Sequence, residues 1–323
     1  MQQQGTTWHY LAALAVLASC PLSVFAGAGG DRKVAPMPLP PEIVKAWTDS
    51  GAAVGWMQMR PTEAPKFQAQ AKGGTGALPV FQFSEWKEGV LAKLPDPGAA
   101  FGLSFNATNV TDARLKELAG LKSLEALYLN KTQVTGTGLK ALAGLKSLHT
   151  LDLRNNKVAD AGIKELAGLK SLQRLYLNHC PVTDAGIKHL AGLKSLQRLN
   201  VSGTNMTDAG LKDLAGLEGL QELTVWGVEF TDAGMRHVAG MNNVHWLDIG
   251  STKMTDAGLK ELAGMKSLQW LSTGGPKMTD AGIKHLAALK GLQTLILTNT
   301  QVTKAGAAAL KKDLPKCNIY GAR

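Results

Sequence analysis

Cysteine is scarce. The 323-residue chain has three, at positions 20, 180 and 317. So sparse a set in so long a chain excludes a disulfide framework. Aromatic residues make up only 6 % of the chain, so a core must be assembled from aliphatic side chains. Long apolar runs are missing too. The apolar stretch at 11–17 (LAALAVL) falls far short of the roughly 20 residues that span a bilayer. Catalytic signatures are also missing: there is no HExxH, no GxSxG, no Walker loop and no GxGxxG. What is present is ample. Hydrophobic residues make up 45 %, which excludes disorder throughout, and 36 glycines call for frequent turns. The length allows two domains or one elongated repeat array.

The first 26 residues read as an export signal. The apolar stretch at 11–17 is followed by Val24, Phe25 and Ala26, small or apolar residues at the places a leader peptidase reads, so cleavage is expected after Ala26. An alternative is that residues 17–20 (LASC) act as a lipobox, with a lipid on Cys20 as the sole attachment to a membrane. Residues 1–10 contain no Lys or Arg, which departs from the usual basic start of a leader. A buried N-terminal helix is the bland reading. Residues 27–40 are rich in Gly and Pro and read as a linker.

After residue 100 one period organises everything. Leu103 and Phe105 are followed at steps of 24 by Leu127 and Leu129, Leu151 and Leu153, Leu175 and Leu177, and Leu199 and Val201. The series runs on through Leu223 and Val225, Leu247 and Ile249, Leu271 and Thr273, to Leu295 and Leu297. The unit is LxxLxLxxTxVTDAGLKxLAGLKS, with Thr132, Asn156, Cys180, Thr204 and Thr252 at its ninth place. Such self-similarity marks a solenoid. LxL puts two apolar side chains on one face of a short strand. Thr-Asp ahead of Ala-Gly-Leu-Lys offers an N-cap for a helical stretch, as at 113–119, and Gly120 suits a left-handed C-terminal cap. Leu115, Leu118 and Leu121 share the strand-facing side. One repeat cannot bury this face alone, whereas stacked neighbours make a continuous core. The ninth-place polar side chain is expected to bond to turn backbone, which Val228 and Pro276 cannot do.

The LxxLxL core, the ninth-place polar residue and the apolar residue after it resemble the leucine-rich repeat family. The TDAGL segment resembles the cysteine-containing, F-box-associated subclass and exported bacterial repeat proteins. The resemblance covers about two thirds of the chain. It implies an α/β solenoid, a horseshoe with a parallel concave sheet and short convex helices, and it supports a binding role without enzymatic activity. The cap-to-array division is then residues 41–100 as an N-terminal capping region and 101–323 as the repeat array with its own C-terminal cap, Ile319 lying in strand register. Phe81 and Phe83 read as a degenerate first repeat. Residues 41–50 read as a helix with Pro in its first turn. Residues 55–78 have no clear pattern, and a separate small domain is the alternative for the N-terminal region.

Two features invite chemistry and have plain explanations. Glu117, Glu165, His189, Asp213, His237, Glu261 and His285 form a helical column that could be a zinc or pH-sensitive strip. The plain reading is a solvated charge ladder: helix neighbours lie on the order of 5–10 Å apart, a range whose upper part is too wide for shared coordination with ligand bonds near 2 Å, so no metal and no cofactor is expected. The net charge of +10 has a repetitive source in the two lysines of each unit, with no dense stripe interleaved with aromatics, so no nucleic acid is expected as partner. Weak attraction to anionic envelope polymers is compatible with it. Cys180 and Cys317, six strands apart or roughly 28 Å, cannot bridge and are expected to be reduced and buried.

The informative variation lies on the outward strand positions. The third, fifth and seventh places of the unit diverge while the framework is nearly constant. One stretch presents Tyr128, Asp152, Arg154, Arg174, Tyr176 and Arg198. The other presents Glu222, Trp226, Trp246, Asp248 and Trp270. Tyr, Trp and Arg dominate interface hot spots, and exposed Trp on a strand face points to a partner. The expectation is therefore a monomeric, exported, non-enzymatic module, periplasmic, on the cell surface or secreted, that holds a protein partner on its concave face. The alternative partner is a glycan or envelope polymer, on a platform of Trp246 and Trp270 with Asp248 accepting from hydroxyls. Neutral drift is a third possibility, with the two Trp stacked only on each other and Arg198 paired with Glu222.

Overall fold

A computed structural model describes residues 39–58, 66–69, 77–250 and 253–323. The expected leader, most of the linker, Cys20 and Thr252 lie outside these residues. The chain divides into two compact units, one ending at Thr204 and the other spanning Asn205–Arg323.

The first unit opens with helix α1 (Pro41–Asp49) and an antiparallel group of strands, β1 (Ala53–Gln58) paired with both β2 (Lys66–Gln68) and β3 (Leu78–Gln82). From β3 onward every pairing is parallel: β4 (Phe101–Ser104), β5 (Leu124–Tyr128), β6 (Thr150–Asp152), β7 (Arg174–Tyr176) and β8 (Arg198–Asn200). Leu103, Leu127, Leu151, Leu175 and Leu199 stand side by side across β4 to β8. A fixed period of 24 makes this register self-enforcing, because a one-residue slip would turn every Leu to the wrong face. The helical side is a 3-10 helix at Asp112–Gly120 and another at Leu139–Leu142. These are followed by α2 (Asp160–Glu165), which ends in a 3-10 turn at Leu166–Gly168, and by α3 (Asp184–Leu190). Leu115, Leu139, Ile163 and Ile187 from these segments are fully buried against the strand leucines.

The second unit repeats the plan. Its parallel strands are β9 (Glu222–Thr224), β10 (Trp246–Ile249), β11 (Trp270–Gly274), β12 (Thr294–Thr298) and β13 (Asn318–Tyr320). Its helices are α4 (Asp208–Leu214), α5 (Asp232–Ala239), α6 (Asp256–Leu262), α7 (Asp280–Ile283) and α8 (Lys304–Asp313). Leu223, Leu247, Leu271, Leu295 and Ile319 form the inward row. Each unit is thus an α/β solenoid of 24-residue repeats.

The TDAG segment does more than cap a helix. Thr183, Thr207, Thr231, Thr255 and Thr279 accept a hydrogen bond from the N–H two residues on, as N-caps should. Within each unit the Asp of the segment serves the next repeat. Asp160 accepts from the N–H and hydroxyl of Thr183, and Asp208, Asp232, Asp256 and Asp280 do the same for Thr231, Thr255, Thr279 and Thr303. The Gly of each segment makes room for that carboxylate: a Cβ on Gly234 would stand 2.4 Å from Asp208 Oδ1. Gly136 breaks the series, and the repeat after it has Ala159 where the receiving Thr should be. There the two backbones close directly, and a Cβ on Gly162 would lie 2.7 Å from the Gly136 Cα.

Gly120 does not adopt the left-handed conformation expected of it. The 3-10 helix ends through Leu121 at φ −83° and ψ 73°. The left-handed residues sit instead at the eighth place of the unit, at Ala107, Lys131, Asn155, His179, Gly203, Gly227 and Asn299. The turn after each strand, not the helix end, is where the chain reverses most sharply. The ninth-place side chains bond there as expected. Thr108, Thr132 and Thr204 donate to Phe105, Leu129 and Val201 carbonyls, Asn156 to those of Leu129 and Leu153, and Cys180 to that of Leu153.

Candidate functional site

The third and fifth places of each strand point away from the leucine core, so the candidate residues line the opposite sheet face. In the first unit Tyr128 is fully buried. It clusters with Met57, Val80 and Ala126, while Phe67 and Leu78 pack against the group. Met57 and Phe67 come from the β1–β2 hairpin, which therefore covers this part of the face. Burial, then the neighbouring Tyr176 and Asp152, push the Tyr128 hydroxyl far above its ordinary value. Asp152 is also fully buried, and its charge is met by Arg154, whose Nε and Nη2 donate at 2.8 and 2.5 Å. The Arg154 guanidinium stands 5.8 Å from the Tyr176 ring centroid. Arg174 lies beside Arg198 in register; Arg198 is buried, and Arg154, Arg174 and Tyr176 are half-exposed.

In the second unit Trp246 and Trp270 are in register on β10 and β11, with ring centroids 3.7 Å apart and planes at 10°. They are 5 % and 3 % exposed. Ile296 joins their cluster, and Tyr320 packs against it. The expected exposed platform is therefore a buried stack, because each indole covers its neighbour's face and Ile296 and Tyr320 extend the apolar row. Glu222 is buried in the same row. Trp226 remains half-exposed and lies against the bare backbone of Gly250, where a Cβ would come within 2.7 Å of its Cδ1. Asp248 is half-exposed at its residue surface, yet burial of the carboxyl pushes it up to about 6, against hydrogen bonds from Ser272 and the Gly250 N–H.

The structure thus separates the eleven candidates. Tyr128, Asp152, Arg198, Glu222, Trp246 and Trp270 are interior to the face and set its shape. Arg154, Arg174, Tyr176, Trp226 and Asp248 reach its surface. The cover of Tyr128 was not legible, since residues 55–78 share no register with the repeats. The joining of Ile296 and Tyr320 had a signal: Ile296 is the lone aliphatic residue in its column and Tyr320 follows it by 24. Cys180 and Cys317 are both buried free thiols. Among the described residues no three His, Cys, Asp or Glu side chains are grouped to hold a metal ion.

Comparison with known proteins agrees with this architecture. Residues 122–182 match one leucine rich repeat model and residues 192–215 match another. No curated protein matches the chain. The fold is similar to that of internalin C2 from Listeria monocytogenes, with a TM-score of 0.53 and 23 % identity over 84 % of this chain and 100 % of that one. It is also similar to a leucine-rich repeat protein of Leptospira interrogans, with a TM-score of 0.55 and 25 % identity. That match covers 74 % of this chain and 58 % of the Leptospira chain, so this chain spans little more than half of that relative. The matched models identify leucine-rich repeats at residues 122–182 and 192–215, and the 24-residue period and parallel leucine ladder carry the same repeat plan through each unit.

Proposed function

We propose that this protein is an exported, non-enzymatic binding module whose outward strand face holds a protein partner. Leucine-rich repeat proteins generally mediate protein–protein interaction, and fold alone goes no further. The observation that supports the strand face is the pre-organised set in the first unit. Arg154 is locked by the buried Asp152 and laid near Tyr176, and Arg174 lies two residues before Tyr176 on the same strand face. Rigid Arg and Tyr side chains lose little freedom on binding, which is what favours them as anchors. In the second unit Trp226 would provide the accessible contact. The stacking and burial of Trp246 and Trp270 weigh against the glycan platform, since a sugar ring needs an open indole face. Export rests on residues 1–26; no helix among the described residues is long and apolar enough to cross a membrane.

The test compares capture from a cell-envelope extract by the parent chain, by Arg174→Ala/Tyr176→Ala and by Trp226→Ala. These side chains are half-exposed, so folding survives and matched melting curves verify it. A protease-sensitive species retained by the parent and lost by the first variant supports the reading. Equal retention by all three sinks it. Fractionation with N-terminal sequencing of the mature chain tests export directly. A chain beginning at Gly27 or at a lipidated Cys20 is an exported outcome, and an intact Met1 is the contrary one.

A further inference from the structure

Charge on the outward strand face does not follow the repeat. Lysine recurs with the period on the helical side, but the third, fifth and seventh places of the strands hold none in either unit. In β4 to β8 of the first unit these places hold Arg154, Arg174 and Arg198 and a single acid, Asp152, a balance of +2. In the second unit they hold Glu222 and Asp248 and no base, a balance of −2. The three arginines fall in three consecutive repeats. Asp152 is fully buried and met by Arg154, so what approaches this face of the first unit meets guanidinium rather than carboxylate. The carboxylate at the strand start, Glu125, faces His149 at 3.8 Å.

Arg154, Tyr176 and Arg174 form one strip on this face. The Arg154 guanidinium stands 5.8 Å from the Tyr176 ring centroid, and Arg174 precedes Tyr176 by two residues on β7, about 7 Å away at backbone level. All three are half-exposed, whereas Arg198 is buried beside Arg174 and adds its field without reaching the surface. An apolar flank adjoins the strip. Tyr128, Asp152 and Tyr176 stand in register on adjacent strands, and the half-exposed Phe67 and Leu78 pack on the cluster that contains Tyr128. Bare backbone fixes both: a Cβ on Gly55 would stand 2.7 Å from Phe67 Cζ, and one on Gly102 would stand 3.3 Å from Leu78 Cδ2.

We propose that this strip takes an extended acidic segment of a protein partner, with carboxylates on Arg154 and Arg174 and an apolar side chain against Phe67 and Leu78. The inference rests on the strand-face reading and names the chemistry of the partner. Carboxylates two to four residues apart in an extended chain, about 7–13 Å, reach guanidiniums on either side of Tyr176. The planar fork of arginine meets a carboxylate through two parallel hydrogen bonds, which lysine cannot match. A phosphate polymer would satisfy the guanidiniums but has nothing apolar to set on Phe67 and Leu78, so the flank selects a polypeptide. Half-exposed charges of this kind speed encounter and lose their effect as salt rises.

The experiment is selection of peptides from a displayed random library on the full chain, followed by fluorescence anisotropy with the selected peptide. Selected peptides should carry Asp or Glu beside an aliphatic or aromatic residue. Changing their acids to amides should weaken binding about tenfold or more. Arg174→Met, which keeps length and removes charge, should weaken it to a similar degree, and Arg174→Lys should be intermediate. Arg236→Met, an exposed arginine of the helical side, should change it less than about twofold. Circular dichroism and melting confirm that the variants fold. Selection of no peptide, selection of peptides without acids, or equal binding by Arg174→Met would overturn the acidic segment. If peptides without acids are still lost by Arg174→Ala/Tyr176→Ala, the strand-face reading stands while this inference falls. If the selected peptides bind that double variant as well as the parent, both fall. Binding of inorganic polyphosphate about tenfold tighter than the selected peptide would overturn the polypeptide in favour of a phosphate polymer.

Discussion

At the scale of single residues, the carboxylate of the TDAG segment is the part whose role the structure redefines. A Thr-Asp pair before a helix reads as a local cap, and Thr is one. Asp instead reaches across to the next repeat, and the Gly two residues after each Asp is small because the previous repeat's carboxylate occupies that space. Gly234→Ala should therefore destabilise by about 1–3 kcal/mol, by driving Asp208 from Thr231. Gly120→Ala should change stability by less than about 0.5 kcal/mol, because nothing lies within 4 Å of its Cβ position and its φ is not positive. Urea unfolding of both variants checks the contrast; equal losses would show that the close approach to Asp208 is not what selects Gly. The thiols give a second prediction. Burial pushes Cys180 and Cys317 up to about 11. Neither should react with iodoacetamide at pH 8 in the folded chain, and both should in urea, as read by peptide mass mapping.

At the scale of elements, the repeats were legible and the N-terminal strands were not. The helix expected at residues 41–50 is found as Pro41–Asp49. Its Trp47 stacks on Phe81 at 4.4 Å, meets Phe101 edge-on, and donates its Nε1 to the Pro95 carbonyl at 3.1 Å. Most of the fully buried aromatic residues among those described gather here, closing the first leucine row with larger side chains. Trp47→Ala should cost about 3–5 kcal/mol, whereas Trp47→Phe should retain much of the packing and lose the hydrogen bond. Thermal melting distinguishes them; a small effect of the Ala variant would mean that this helix is not integral to the first unit. The β1–β2 hairpin had no signature because its pairing is antiparallel and its partner, β3, lies outside the 24-residue period on that side. Repeats of nearly one sequence also differ in helix type, 3-10 at Leu139–Leu142 and α at Asp184–Leu190. The first has Gly136 where the second has Asp184, so helix propensity is lower there and the carboxylate at the helix start is missing.

At the scale of the whole molecule, carboxylates set opposing pH dependences. Asp112 and Asp280 lie below the usual carboxylate range. In Asp112 burial acts upward, but hydrogen bonds from Thr135 and the Gly136 and Gly138 N–H groups outweigh it; in Asp280 those from Thr303 dominate. A depressed carboxyl contributes stability above its unfolded value near 3.8 and loses it as pH falls through the folded value, so the inter-repeat bonds of Asp112 and Asp280 should fail only in acid below about pH 4. Asp248 has the opposite sign. Its value of about 6 means that the folded chain takes up a proton first, so its destabilising effect is full above pH 6 and relieved as pH falls toward 4. Asp248→Asn should raise the melting temperature at pH 7 and flatten the profile between pH 6 and 4, leaving the acid limb in place. A parallel shift of the entire profile would remove Asp248 as the cause. The period of 24, the inward Leu rows and the polar ninth place follow from the sequence alone, because identical repeats stacked in one register leave a single way to bury the same apolar face. Which outward residues stay at the surface was decided by tertiary structure. Trp246 and Trp270 vanish into a stack, and Tyr128 vanishes under a hairpin, because burial of an outward side chain depends on neighbours 24 residues away or on segments outside the repeat, and no local pattern encodes those contacts.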